Sequence, residues 1–300
     1  MRRAMTMCTG RTRRRALAGA WFCLLAWVMT PVAAVAGDMI TISGGAGRMG
    51  SDTGLPDERP AHDIEVQSFR LDRSPVSVAD FAAFISDTRH ETDAERLEGG
   101  AVMSFGTGQW RLVPGAIWRS PYGPQGPEAQ ADHPVTQVSH SDAEAYCRWR
   151  DKRLPTEKEW EFAARAGQDG EPVYAFGDRL LREGEYLANV WTGIFPVLNT
   201  AEDGFKTTSP VGAFGTTPIG LTDMAGNVWE WTSSPYGPYG PYGDDALQAD
   251  NPAAPRVQRG GSYLCDPKLC HGFRVSARGH ATPDSAHMHV GFRCAADVLN

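Results

Sequence analysis

The 300-residue sequence is short of several things that would each define a class of protein. Its longest apolar run, Ala16 to Val28, falls short of the ~20 residues that a membrane-spanning helix needs. Basic residues are outnumbered, 29 Lys and Arg against 36 Asp and Glu, which argues against a nucleic-acid partner. No block of like charge stands out, so the acidic excess reads as a solvated surface. No P-loop, Ser-His-Asp set or zinc-spaced cluster is present, which removes the motif-based case for nucleotide, acyl-transfer or zinc chemistry. No linker interrupts the chain, so one domain from about 38 to 300 is favoured. Beyond Gly167 no long helical periodicity occurs, which excludes a helical bundle.

What is present begins with a distinct leader. Arg2, Arg3, Arg11, Arg13, Arg14 and Arg15 form a basic start without an acidic residue. The apolar run follows, Pro31 breaks it, and Ala34-Val35-Ala36 suits cleavage before Gly37. Residues 1–36 are therefore read as a signal peptide, with an uncleaved anchor as the alternative. Thr12 to Leu17 also resembles a twin-arginine signal, although Ala16 stands where a bulky apolar residue is usual. An exported protein, periplasmic or secreted and with no membrane span in its mature part, is the expectation. Without the leader the chain holds 23 basic and 36 acidic residues, a net charge of −13, suited to a basic partner or to cations such as calcium. Of the six cysteines, Cys147, Cys265, Cys270 and Cys294 remain, and in an oxidising compartment their three possible pairings all stay open.

The full sequence holds 33 glycines and 21 prolines, well spread, with nine tryptophans and twelve phenylalanines available for burial. Short strands are predicted near Met39–Ile42, Ile64–Val66 and Phe69–Leu71. A helix is predicted after Ser77, with Phe81, Phe84 and Ile85 on one face. A second is predicted after Ser141, with Glu144 completing a capping box, and a third after Thr156, capped by Glu159. Gly99 to Asp132 is read as a long packed loop. Together these elements indicate an α+β domain.

Several segments, in order, then resemble one family. They are H-P-V-T-Q-V-S-H-S-D-A-E-A-Y-C-R-W from His133, R-L-P-T-E-K-E-W-E-F-A-A-R from Arg153 and G-L-T-D-M-A-G-N-V-W-E-W-T from Gly220. R-G-G-S-Y-L-C-D-P-K-L-C from Arg259 and G-F-R-C-A-A-D from Gly291 complete the set. It resembles the formylglycine-generating enzymes, the sulfatase-modifying factor family. The resemblance implies a single C-type-lectin-like α+β domain with little regular secondary structure. It implies oxidation by O2 of a cysteine in an extended C-x-P-x-R segment of a sulfatase-type substrate protein, giving Cα-formylglycine. Cys265 and Cys270 would hold Cu(I) as soft thiolates. Spacing and compartment alone favour a plain Cys265–Cys270 disulfide, and the surrounding motif reverses that preference. Cys147 and Cys294 match a structural disulfide, and a second one in the family is replaced at both ends here, by Ala164 and Val275.

The resemblance also implies that Ser262 orients O2 or a substrate group and that Trp229 packs on the substrate proline. Asn189, Val190, Asp203 and Phe205 match one calcium site; Asp223, Gly226, Val228 and Glu230 match a second. The sequence departs from the family pattern at Asp266, Leu269 and His140. It departs also at Gly99, where Glu98 beside it would meet the substrate arginine. His287 and His289, like His271 beside Cys270, could ligate Cu(II), but exposed loop residues are the favoured reading. An oxidase of the same fold acting on a small molecule or pigment precursor, and a non-catalytic lectin-like module, are the competing readings.

Overall fold

The structure, a computed structural model, describes residues 38–168, 170–239 and 251–298. The expected leader lies outside the described residues. Strands β1 (Met39–Ile42), β2 (Gly45–Met49), β3 (His62–Val66) and β4 (Phe69–Asp72) open the chain. Helix α1 (Val78–Thr88), the one-turn α2 (Asp93–Arg96), and strands β5 (Gly99–Ser104) and β6 (Gln109–Pro114) follow. Next come α3 (His140–Trp149) and α4 (Glu157–Arg165). Two small hairpins are made by β7 (Leu181–Arg182) with β8 (Glu185–Tyr186), and β9 (Gly193–Ile194) with β10 (Leu198–Asn199). The chain ends on β11 (Trp229–Pro235), β12 (Arg256–Arg259), β13 (Gly279–Ala281), β14 (Val290–Gly291) and β15 (Ala295–Asp297). Among the described residues, no helix is long and apolar enough to cross a membrane.

Local chemistry accounts for the helices. Ser77 Oγ accepts the Asp80 N–H at 3.1 Å, which starts α1, and Phe81, Phe84 and Ile85 turn inward. In α4, Thr156 and Glu159 satisfy each other's backbone donors at 3.2 and 2.8 Å, as expected. The start of α3 differs from expectation. Ser139, not Ser141, is the cap, and Asp142, not Glu144, completes the box, with both bonds at 3.0 Å. Asp142 is buried and also accepts the Asp93 N–H and contacts the His90 ring at 2.8 Å, so its carboxylate is more useful inside the fold than an exposed Glu144 would be. A second correction is the hairpin β5–β6 within the segment read as loop, in register from Gly99↔Pro114 to Ser104↔Gln109. It escapes a periodicity reading because β6 is exposed along nearly its whole length and so shows no alternation.

Two sheets organise the core. In one, β4 lies between β1 and β15, all antiparallel. In the other the order is β13-β12-β11-β14, with β14 parallel to β11. The Cys147–Cys294 disulfide ties α3 to the segment before β15, as the family resemblance implies. Bridging 147 positions, it contributes about 2–4 kcal/mol through the unfolded state. Ala164 and Val275 are buried in one apolar cluster with Trp160, so packing occupies the place of the absent second bridge. Ion pairs cross the interior as well. Glu157 and Glu161 pair with Arg259, and Glu230 pairs with Arg293 through two 2.7 Å bonds, all almost fully buried. Losing one partner of such a pair typically costs about 3–5 kcal/mol.

Candidate active site

Strand β12 runs out at Arg259 into Gly260 and Gly261, both at positive φ, where a side chain would be strained. The tight bend lets the chain cross itself: a Cβ on Gly261 would lie 2.6 Å from the Phe273 nitrogen. Ser262 follows, fully buried, with Oγ accepting the Leu264 N–H and its carbonyl accepting the Cys265 N–H at 2.8 Å. Asp266 then folds the next turn. Its side chain accepts the Lys268 N–H at 2.7 Å, and its carbonyl accepts the N–H groups of Leu269 and Cys270. The position where the family often has histidine is thus a turn former here. Leu269 is exposed beside it.

This loop brings Cys265 and Cys270 together as free thiols, Sγ to Sγ 2.7 Å. Cys265 is buried and Cys270 exposed. Their hydrogen bond, aided by burial, raises Cys265 well above the ordinary thiol range. The same bond pulls Cys270 down against its burial, helped by the Gly272 N–H and the Arg274 charge. The two thiols are therefore unequal, with Cys270 the more acidic of the pair.

Trp229 reaches the pair from β11. The meeting point is Gly272, a residue that motif reading did not single out. A Cβ there would lie 2.6 Å from the Trp229 ring, 2.9 Å from Cys265 Sγ and 3.0 Å from Cys270 Sγ. The absent side chain leaves room for the indole and both sulfurs to converge on one backbone position. Gly279 lines another part of the ring, where a Cβ would stand 3.3 Å away. Glu98 is not brought to the pair by any described contact. It sits exposed at φ 59° at the base of the β5–β6 hairpin, its carboxylate without hydrogen bond or ion pair among the described residues. His140, where the family usually has tryptophan, is buried edge-on to Trp231, and burial pushes its pKa down to about 4, so it is a neutral packing residue.

Of the residues matched to the first calcium site, Asn189, Val190, Asp203 and Phe205, three are linked by hydrogen bonds. Asp203 accepts the Val190 N–H at 2.9 Å and the Phe205 N–H at 3.1 Å, and Asn189 Oδ1 is buried without a hydrogen-bond partner. An orphaned amide oxygen beside a half-satisfied carboxylate is a donor set that suits a hard cation. The second set is weaker than expected. Asp223 is in place, accepting from Gly212, Thr222 and Asn227. Both carboxylate oxygens of Glu230, however, are taken by Arg293, and one also by Trp160 Nε1 at 2.7 Å. Its side chain is a structural counter-ion, and its backbone is paired in the sheet with Arg259 and Gly291. The sets adjoin the thiol loop: Gly226 donates to the Gly260 carbonyl, Tyr263 to that of Asn227, and Trp191 to that of Cys265. Among the described residues no three His, Cys, Asp or Glu gather into a metal-holding group, so the thiols stand as a two-ligand pair.

Comparison with known proteins agrees with this geometry. Residues 28–298 match the Sulfatase-modifying factor enzyme 1-like domain. The formylglycine-generating enzyme of Thermomonospora curvata is 41% identical over 289 residues, covering 88% of this chain and 95% of its own. The bovine inactive C-alpha-formylglycine-generating enzyme 2 is 39% identical over 280 residues, covering 86% and 88%. In three dimensions, PvdO from Pseudomonas aeruginosa superposes with a TM-score of 0.61 at 24% identity, over 87% of this chain and 94% of its own, which shows the shared fold.

Proposed function

The chain belongs to the sulfatase-modifying factor family, and from that premise we propose that it is a formylglycine-generating enzyme, oxidising a substrate-protein cysteine to Cα-formylglycine with O2. Membership alone does not decide activity, since relatives bearing active and inactive names are about equally similar. The observation that carries the reading is the free Cys265–Cys270 pair under Trp229, kept apart from a structural disulfide made by the other two cysteines.

The donor chemistry of two adjacent thiols, one made more acidic by the other, suits Cu(I) held by Cys265 and Cys270. Bound there, copper would supply the one-electron chemistry with O2 that a protein side chain lacks. The chain's own residues do the rest. Cys270 offers an exposed sulfur at the rim, where a substrate thiol can approach, while buried Cys265 anchors the pair from within. Trp229, packed on Gly272 beside the pair, would give a substrate proline an indole to pack against. Ser262 holds the loop that carries Cys265 in place. The free carboxylate of Glu98 would meet the substrate arginine. Calcium at Asn189, Val190, Asp203 and Phe205 would rigidify the segment bonded to Cys265. The leader and the Cys147–Cys294 disulfide support an exported enzyme working in an oxidising compartment.

The test is mass spectrometry of a C-x-P-x-R peptide incubated with copper-loaded protein in air. Loss of the thiol and gain of an aldehyde are expected, and Cys270→Ser should abolish both. A peptide left unchanged by the wild-type protein, with a positive-control enzyme active in the same buffer, sinks the reading.

A further inference from the structure

His287 and His289 are not the exposed loop residues that the sequence suggests. Both are half-buried, and their backbones are pinned on three sides. Gln137 donates to the His287 carbonyl at 3.0 Å, Met288 donates to the Ala101 carbonyl at 3.1 Å, and Trp229 donates to the His289 carbonyl at 2.9 Å. The two imidazoles stand nearly perpendicular, with ring centres 5.8 Å apart. Trp110, from β6, covers them both at 5.7 and 4.9 Å. Their Nδ1 atoms are shielded from solvent and have no hydrogen-bond partner. A buried ring nitrogen without a partner is costly unless something is meant to bind it.

The spacing says what could. With metal–nitrogen bonds of about 2.0 Å, two imidazoles on one ion place their ring centres about 5 to 6.5 Å apart. Burial disfavours the imidazolium of both, lowering His287 and pushing His289 down to about 3, which favours the form with a ligating lone pair. No third His, Cys, Asp or Glu joins them among the described residues. Burying a divalent ion with no anionic ligand would carry a heavy desolvation cost. A monovalent soft ion content with few ligands avoids it, and Trp110 packs against both rings. We propose that His287 and His289 form a second, all-nitrogen Cu(I) site beneath Trp110, separate from the cysteine pair. Trp229 links the two places, because its N–H donates to the His289 carbonyl and its ring packs on Gly272, which both sulfurs also approach.

The test is anaerobic titration of the reduced protein with Cu(I) against a chromogenic chelator. Wild type should hold two equivalents, and His287→Asn/His289→Asn should hold one. Cys265→Ser/Cys270→Ser should also hold one, with X-ray absorption showing nitrogen ligation and imidazole scattering and no sulfur. Trp110→Phe should remove the fluorescence quenching that accompanies filling of this site in the thiol-free variant. One equivalent in wild type, a second equivalent that survives loss of both histidines, or a copper-free Cys265→Ser/Cys270→Ser protein overturns the proposal. If the histidine variant does not fold, the thiol-free spectrum decides alone. A failed peptide oxidation leaves these copper counts untouched, so the two readings fail separately.

Discussion

Cys265 and Cys270 carry one side chain and behave as two, because the first is buried and donates to the second. The lowered Cys270 is ionised below the pH at which an ordinary thiol deprotonates, and the raised Cys265 stays protonated above it. At neutral pH a small alkylating reagent should therefore modify Cys270 faster than Cys265, by about tenfold or more. Cys265→Ala removes the donor, so the pH–rate profile of Cys270 should move up and its alkylation at neutral pH should slow. Peptide mapping after timed quenching reads both; faster labelling of Cys265 would show the polarity to be reversed. The thiols were legible in the sequence through the motif around them. Gly272 was not, because a glycine whose value lies in what it leaves empty has no residue-level signature. Nor was the state of Glu230: its carboxylate suits a cation in any sequence reading, and only the fold shows Arg293 and Trp160 occupying it.

The elements follow their end signals more faithfully than their interiors. The α1 and α4 starts were readable because serine or threonine three residues before an acidic residue solves the unsatisfied N–H groups locally. At α3 two such solutions overlap, Ser139 with Asp142 and Ser141 with Glu144. Spacing cannot rank them; burial does, since Asp142 also serves Asp93 and His90. Ser139→Ala should accordingly cost about 1 kcal/mol or more in urea unfolding, and Ser141→Ala only a few tenths. Equal effects from both would mean that the helix starts where the sequence suggested. The β5–β6 hairpin was hidden for a different reason. Its pairing is backbone-driven, with Gly106 and Gly108 at positive φ in the turn, and its outer strand has no core face to print a pattern. That hairpin nevertheless carries Trp110 over the histidines and Glu98 at its base, so the least legible element bears on both ligand proposals.

Across the whole molecule, little regular structure is held by cross-links of three kinds: one disulfide, buried ion pairs and, in the reading offered above, calcium. The first two act without any ligand. Glu230→Gln leaves Arg293 buried with a neutral partner and should cost about 3–5 kcal/mol with calcium or without it. Calcium acts through Asp203, whose pKa is raised by burial despite the N–H groups it accepts. A carboxyl raised in the folded state binds its proton more tightly there than in the unfolded chain, so its ionisation costs stability as pH rises past the unfolded value of 3.8. A bound cation cancels that cost. The calcium-dependent gain in unfolding free energy should thus grow from about pH 4 to pH 7 and approach about 2.7 kcal/mol when calcium is a hundredfold above Kd. Asp203→Asn should abolish the gain, while Glu230→Gln should keep it on a lower baseline, because the Glu230 carboxylate serves Arg293. Calorimetry with and without a chelator separates the two. A gain that disappears in Glu230→Gln would return its carboxylate to the ligand set and dissolve the distinction between the two sites.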